Sequence, residues 1–273
     1  MASRLGIVAG GGELPGLLIR GCHRSGRPVH VVALTGHAEP AIVEASPHDW
    51  VRLGAAAEAF SRLRAAGAEE VVFAGKIRRP RLRELMPDWR TAGFLARIGG
   101  RLLSDNRLVD AIIREFEAEG FRVVGPADVL PELLARAGAY GRLSPTPEEE
   151  RTIALGMTAA RENGLRDLGQ AAVVQGGRVL AVEGPEGTDA LIAAAASLQE
   201  GGGGAILVKA RKPQQEMRAD PPVIGPATVA RAAAARYRGI AVEVGGVLVL
   251  EGDALTGALD AAGMFLAGVL AAS

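Results

Sequence analysis

Short apolar runs alternate with helix-like stretches through the first 75 residues of the chain. The apolar runs predict strands at residues 5–9, 29–34 and 70–74, and helical spacing of apolar residues occurs at 15–25 and 55–66. Consecutive strands joined by a helix pair in parallel, because the crossover returns the chain to the same end of the sheet. The first half therefore predicts an α/β domain with a Rossmann-like parallel sheet.

The second half of the chain has a different order of predicted elements. It follows residues 135–147, which are rich in Gly, Pro and small polar residues and predict a linker. Predicted strands at 170–175 and 178–182 flank Gly176-Gly177, a hairpin signal, so these strands are antiparallel. The other predicted elements are a helix at 147–163 capped by Thr146, a helix at 188–200, strands at 205–209 and 247–250, and a packed C-terminal helix within 255–272. We predict two domains, 1–134 and 148–273, the second of mixed α/β type.

Composition excludes several classes of protein. The 273 residues include 31 basic and 31 acidic side chains, a formal net charge of zero, whereas a nucleic-acid binder needs a basic excess. Cys22 is the one cysteine, which excludes a disulfide framework and a cysteine zinc site and fits a reducing compartment. No apolar run approaches the ~18 residues of a membrane span, and no secretory signal is visible. We expect a cytoplasmic protein that does not bind nucleic acid.

A glycine run, Gly10-Gly11-Gly12, lies between the first predicted strand and the first predicted helix. Backbone amides of such a loop and the following helix N-terminus can bind a phosphate or nucleotide, but the same glycines also suit a tight turn. A dinucleotide site is disfavoured, because Pro15 stands where its G-x-G-x-x-G pattern ends and residues 34–36 offer no acidic side chain for a ribose.

Lysine is rare in this chain, because 28 of the 31 basic residues are arginines. Lys76 follows the predicted strand at 70–74, at the sheet edge where ligands usually bind, and Arg78 and Arg79 come directly after it. This segment is either a solvated basic turn or a contact for an anion. Further on, capping of a helix explains Ser104-Asp105-Asn106 as well as a substrate contact does.

Charged residues of the second half are concentrated in two segments. Residues 183–189 contain three carboxylates beside Thr188, and they either cap a helix or gather a divalent cation. Residues 207–228 contain several prolines and no hydrophobic period, which predicts a long functional loop. The loop offers basic side chains for phosphate oxygens and carboxylates that can hold Mg²⁺ or activate water: Lys209, Lys212 and Arg218 are the former, and Glu216 and Asp220 the latter.

The chain after His48 contains no histidine. An enzyme that splits a phosphate bond with a His-rich two-metal site is therefore excluded. Magnesium prefers carboxylate, phosphate and water oxygens, so a magnesium-assisted reaction needs no imidazole.

Five motifs follow one another along the chain. They are Ile7-Val-Ala-Gly-Gly-Gly-Glu-Leu-Pro15, Phe73-Ala-Gly-Lys-Ile-Arg-Arg-Pro80, Ser144-Pro-Thr146, Val182-Glu-Gly-Pro-Glu-Gly-Thr-Asp-Ala190, and the segment from Lys212 to Gly225. With these motifs the chain resembles, over essentially its whole length, the UDP-2,3-diacylglucosamine pyrophosphatase family of lipid A synthesis. The last two motifs are the specific ones.

The resemblance implies a magnesium-dependent hydrolysis of UDP-2,3-diacylglucosamine to UMP and 2,3-diacylglucosamine 1-phosphate (lipid X), with Mn²⁺ as a substitute metal. It also implies a homodimer, a substrate cleft between the domains, and an essential aspartate at Asp220. The candidate metal ligands are Asp220, Asp189 and Glu216. The candidate substrate contacts are Gly10, Gly11, Gly12, Leu14, Lys76, Asp105, Thr188, Lys209, Lys212, Gln215 and Arg218.

The acyl chains of such a substrate need an apolar groove, since each buried methylene is worth about 0.8 kcal/mol. Residues 76–107 contain nine basic and three acidic side chains, so we expect this stretch to face an anionic membrane surface, at about 1 kcal/mol per well-placed charge. The expected location is the cytoplasmic face of the inner membrane.

Two other functions are open. The glycine run allows another nucleotide-sugar or NAD-linked enzyme, which tight NADH binding would favour. A non-catalytic sensor would bind a UDP-sugar without releasing UMP. Neither explains the concentration of charge around Asp220.

Overall fold

The structure is a computed structural model that describes residues 3–77, 88–89, 91–93, 105–250 and 252–270, with the side chains of 105–107 excepted. Two compact units make up the chain. The first unit is Met1–Pro131 with Glu216–Asp220, and the second is Glu132–Gln215 with Pro221–Ser273. In the described ranges, no helix combines the length and the apolar character that crossing a bilayer requires.

The first unit contains a five-stranded parallel sheet in the order β3-β2-β1-β4-β5. Its elements are β1 Arg4–Ala9, α1 Leu14–Arg24, β2 Val29–Leu34, α2 Pro40–Val43, β3 His48–Val51, α3 Ala56–Ala65, β4 Ala68–Ala74, α4 Asp105–Ala118, β5 Arg122–Val124 and α5 Pro126–Val129. Strand order reverses between β1 and β4, so the crevice at their carboxyl ends is the place where ligands bind in such sheets.

Apolar strands and amphipathic helices build the core of the first unit. Leu5 and Ile7 of β1 are fully buried, as a central strand covered on both faces requires. Phe60 of α3 and Phe116 of α4 meet edge to face, with 4.8 Å between ring centroids. These contacts place α3 and α4 on one face of the sheet.

The predicted Rossmann-like sheet is confirmed, but one strand was missed. His48–Val51 forms β3, which pairs with β2, so the predicted third strand is β4. The sequence His48-Asp-Trp-Val51 is short and polar, and only Val51 is buried. An edge strand of this kind carries almost no hydrophobic signal.

The second unit contains a six-stranded mixed sheet in the order β6-β13-β11-β9-β7-β8, and a two-stranded sheet of β10 and β12. Its elements are β6 Gly138–Ala139, α6 Pro147–Leu165, β7 Ala171–Gln175, β8 Arg178–Val182, α7 Thr188–Ala196, β9 Ile206–Lys209, β10 Val223–Ile224, α8 Pro226–Ala234, β11 Gly239–Glu243, β12 Leu248–Val249, α9 Asp253–Ala262 and β13 Phe265–Val269. Strands β9, β11 and β13 are parallel, whereas β6, β7 and β8 each pair antiparallel.

Both faces of the larger sheet are covered. Ile153 and Met157 of α6 pack on one face against Val174 and Val208, while Leu191 of α7 belongs to a separate core on the other face. The predicted cap of α6 is confirmed, because Thr146 Oγ1 accepts a hydrogen bond from Glu149 N and Glu149 Oε2 accepts one from Thr146 N. The predicted mixed α/β type and the predicted hairpin of β7 and β8 are also confirmed.

Residues 135–147, predicted as a linker, contain β6, which pairs with β13, and Tyr140 beside it is buried. One prediction for this unit was wrong. The predicted C-terminal helix within 255–272 ends at Ala262, because Gly263 takes a left-handed conformation and Phe265–Val269 then forms β13. Strand β11, which lies between β9 and β13, was not predicted at all.

Candidate active site

The glycine run lies at the strand-order reversal of the first unit. Gly10 N donates to Ala74 O at 2.8 Å, and Gly11 and Lys76 exchange two backbone hydrogen bonds of 2.9 and 2.8 Å. A Cβ atom on Gly10 would lie 2.7 Å from Lys76 O, and one on Gly75 would lie 2.5 Å from Gly11 O. Close approach of two backbone segments therefore requires glycine at both positions.

This arrangement changes the interpretation of the loop. The amides of Gly10 and Gly11 already bond carbonyls, and Gly12 N donates to Glu39 Oε1 at 3.3 Å, so they are engaged by the protein itself. A dinucleotide-binding loop needs such amides for phosphate, so the glycine run lends the NAD-linked alternative no support.

Other predicted contacts of the first unit differ in exposure. Leu14 is 7% exposed and belongs to the core, whereas the Lys76 side chain is exposed at the carboxyl end of β4. Lys76 is thus placed where an anion could reach it. Asp105 begins α4, but its side chain, together with Arg78, Arg79 and Ser104, lies outside the described residues.

A five-residue segment, Glu216–Asp220, comes from the long charged loop and is part of the first unit. We call it the strap. Asp220 N donates to Glu216 O at 3.0 Å, which closes the strap into one turn. The side chain of Ala219 packs against the apolar core of the first unit, and Asp220 is half-buried.

Arg218 occupies the centre of the strap. Its Nε and Nη2 donate to the two carboxylate oxygens of Glu216 at 3.0 and 2.7 Å, and Nη1 donates to Glu117 Oε1 at 2.9 Å. These hydrogen bonds hold the pKa of Glu216 below its usual value and raise that of Arg218. The predicted phosphate ligand Arg218 is therefore already bound to two carboxylates.

A buried polar cluster lies at the carboxyl end of β9 in the second unit. Lys209 is 6% exposed, and its Nζ donates to Thr188 Oγ1 at 3.0 Å and to Val223 O at 3.3 Å. The Thr188 hydroxyl in turn donates to Glu183 Oε1, and Gln170 N donates to Glu183 Oε2 at 2.6 Å. One hydroxyl thus joins a buried ammonium to a buried carboxylate.

Lys212, the next lysine of the loop, forms an ion pair with Asp167. Lys212 Nζ donates to Asp167 Oδ1 at 2.8 Å, and its side chain is 12% exposed. Gln215 is half-buried, and its backbone N donates to Lys212 O at 3.0 Å. Both residues are held in the second unit by contacts within the protein.

Two of the three candidate metal ligands face arginines. Asp189 Oδ2 lies 3.4 Å from Arg231 Nη2, and Glu216 binds Arg218. Within the described parts of the chain, no three His, Cys, Asp or Glu side chains are close enough to hold a metal ion. The described residues therefore do not form an all-protein metal cage, and a metal at Asp220 stays a prediction.

Two residues of these clusters were not among the candidate site residues. Glu117 precedes its partner Arg218 by 101 positions, and nothing in the sequence links them. Glu183 was one of the three carboxylates of residues 183–189, but its role as the buried partner of Thr188 has no local signal.

The fold and these clusters define a two-domain α/β protein with a Rossmann-like first domain and charged loops at the carboxyl ends of its strands. Family models of the LpxI N-terminal domain and the LpxI C-terminal domain match residues 4–133 and 136–267. A curated relative, UDP-2,3-diacylglucosamine pyrophosphatase LpxI of Caulobacter vibrioides, is 41% identical in an alignment 273 positions long that covers 97% of each chain. The chain belongs to the LpxI family.

Proposed function

We propose that this chain hydrolyses the pyrophosphate bond of UDP-2,3-diacylglucosamine and releases UMP and 2,3-diacylglucosamine 1-phosphate for lipid A synthesis. The observation that carries the proposal is membership of the LpxI family, with a curated pyrophosphatase 41% identical over 97% of the chain. The motifs around Thr188 and Asp220, which are the specific part of the resemblance, support the same substrate.

The proposed chemistry follows from the charge of the bond. A pyrophosphate between two neutral groups carries two negative charges, and more charge develops on the leaving phosphate as water attacks. Positive groups near the phosphates lower the barrier. The exposed Lys76 and the ammonium groups of Lys209 and Lys212 are the proposed sources of that charge, and Asp220 is the proposed group that orients or deprotonates water.

Magnesium is the proposed cofactor, with Mn²⁺ as a substitute. Mg²⁺ usually keeps several waters and binds through one or two carboxylates together with substrate phosphates, so it needs no cage of three protein ligands. Asp220, on which the family's essential aspartate falls by resemblance, is the carboxylate we assign to the metal, together with substrate oxygens. When bound, the ion would polarise the phosphoryl group.

The acyl chains of the proposed substrate indicate that the protein acts at a membrane surface. We propose that it acts as a homodimer at the cytoplasmic face of the inner membrane, where the substrate's chains reside. The support for membrane contact is the excess of six positive charges in residues 76–107, most of which lie outside the described residues.

Product analysis tests the proposed function. The purified protein is incubated with UDP-2,3-diacylglucosamine in three matched arms containing Mg²⁺, Mn²⁺ or EDTA, and the products are identified by mass. We expect UMP and 2,3-diacylglucosamine 1-phosphate in equal amounts with either metal and at least 100-fold less with EDTA, because the metal offsets phosphate charge. Intact substrate in all three arms, with UDP-sugar binding retained, would instead indicate a sensor.

A further inference from the structure

The strap is fixed to the first unit at more than one point. Arg218 binds Glu117 on α4, Ala219 packs into the apolar core, and the backbone of residues 217–218 passes close to Gly125. A Cβ on Gly125 would lie 3.3 Å from Met217 O, which is tighter than ordinary contact, and 3.4 Å from Arg218 Cα, which is at its edge. The strap therefore lies close to Gly125, the residue before α5.

The Glu117–Arg218–Glu216 chain differs from an isolated surface ion pair. The guanidinium makes a two-point contact with Glu216, a geometry that fixes its plane, and uses its third nitrogen for Glu117. Glu216 is also the residue whose carbonyl accepts the backbone amide of Asp220. The three side chains thus connect α4 to the turn that ends at Asp220.

The cost of a misplaced reacting group is large. A carboxylate that orients water works only over a narrow range of positions, and a displacement near 1 Å can cost about 100-fold in rate. The strap holds Asp220 through one turn of backbone, so whatever fixes Arg218 also limits the positions open to the Asp220 carboxylate.

We propose that Glu117 is a positioning residue: through Arg218 it holds the strap on α4 and so sets the position of Asp220 for the reaction. The proposal rests on the proposed function, because it needs Asp220 to act in hydrolysis. Glu117 itself acts only through Arg218. Loss of Glu117 is therefore expected to lower the rate at which bound substrate is hydrolysed and to leave substrate binding unchanged.

The test compares Glu117→Gln with a matched control, Glu58→Gln. Glu58 is also on a helix of the first unit, pairs with Arg62, and has a side chain 42% exposed against 44% for Glu117. Release of UMP from UDP-2,3-diacylglucosamine is measured over a range of substrate concentrations. We expect Glu117→Gln to lower kcat about fivefold with KM unchanged, since an exposed ion pair contributes up to about 1 kcal/mol. Glu58→Gln should match the wild type.

Two further variants separate positioning from a general structural effect. Gly125→Ala reaches the strap by a different route, through steric contact, and should also lower kcat without a change in KM. In an Arg218→Gln background, Glu117→Gln should add no further loss, because its partner is already absent. A loss of kcat that only matches the loss of folded protein in a thermal unfolding measurement would overturn the proposal.

The outcomes distinguish this inference from the proposed function. An active wild type with an inactive Asp220→Ala and an unaffected Glu117→Gln contradicts the positioning role alone. Full activity of Asp220→Ala would show that Asp220 does not act in the reaction, so Glu117 would have no reacting group to position. A wild type that releases no UMP would overturn the proposed function and this inference together.

Discussion

Replacing Asp220 with alanine is expected to lower kcat for UDP-2,3-diacylglucosamine by about 1,000-fold or more. The proposed role explains the size of the effect, because the carboxylate acts on the attacking water or the metal in the transition state and contributes little to ground-state binding. The half-buried side chain ends a turn that is braced by its own backbone hydrogen bond, so the variant should fold. Steady-state UMP release and a circular dichroism spectrum check both parts.

Two controls accompany this variant. Asp220→Asn keeps the shape of the side chain and removes its charge, so a loss as large as that of alanine assigns the effect to the carboxylate. Asp253→Ala changes an exposed aspartate at the start of α9 and should leave kcat within about twofold of the wild type. Near-normal turnover by Asp220→Ala would show that another group performs its role.

Lys209→Met is expected to lower the free energy of unfolding of the second unit by about 3–5 kcal/mol. Lys209 is 6% exposed and its ammonium is joined to Glu183 through the Thr188 hydroxyl, so its removal takes away the positive charge that is linked to this buried carboxylate. Val223 O also loses a donor. Chemical denaturation followed by circular dichroism measures the loss as a lower denaturant midpoint for the transition in which the second unit unfolds.

A double variant identifies the cause of this destabilisation. Adding Glu183→Gln to Lys209→Met removes the stranded charge and should recover at least about 1 kcal/mol, because neutral groups cost less to bury. Lys212→Met is the matched control, and it should cost about 1 kcal/mol, because its partner Asp167 is 31% exposed and can be hydrated. Equal losses in both single variants would contradict the special role of the buried pair.

Strongly patterned elements were predictable from the sequence. Strand β2 has the predicted bounds, and the predicted β1, α1 and α3 agree within a few residues, because apolar runs and helical spacing dominate there. Strand β3 was missed because it is a polar edge strand. Strand β13 was included in a helix because its apolar residues continue those of α9, although Gly263 marks the boundary between the two elements.

The candidate site was predictable only in part. Charge density and prolines predicted the loop around Asp220, and the glycine run predicted the turn after β1, which the structure places at the strand-order reversal. A local sequence pattern does not show which side chains far apart along the chain contact each other in the fold. The partnership of Arg218 with Glu117 spans 101 residues, and that of Lys209 with Thr188 spans 21. The sequence pattern therefore assigned Arg218 to phosphate, whereas the structure binds its guanidinium to two carboxylates.

Hydrolysis in water enriched in ¹⁸O tests whether water attacks the pyrophosphate at a single phosphorus atom. If Asp220 and its metal direct water onto the pyrophosphate, one ¹⁸O atom must enter the phosphate of one product, either UMP or 2,3-diacylglucosamine 1-phosphate, in every turnover. The proposed function predicts that label in a single product with the wild type and none in recovered substrate. Label divided between the two product phosphates, or no product at all from the wild type, would contradict it.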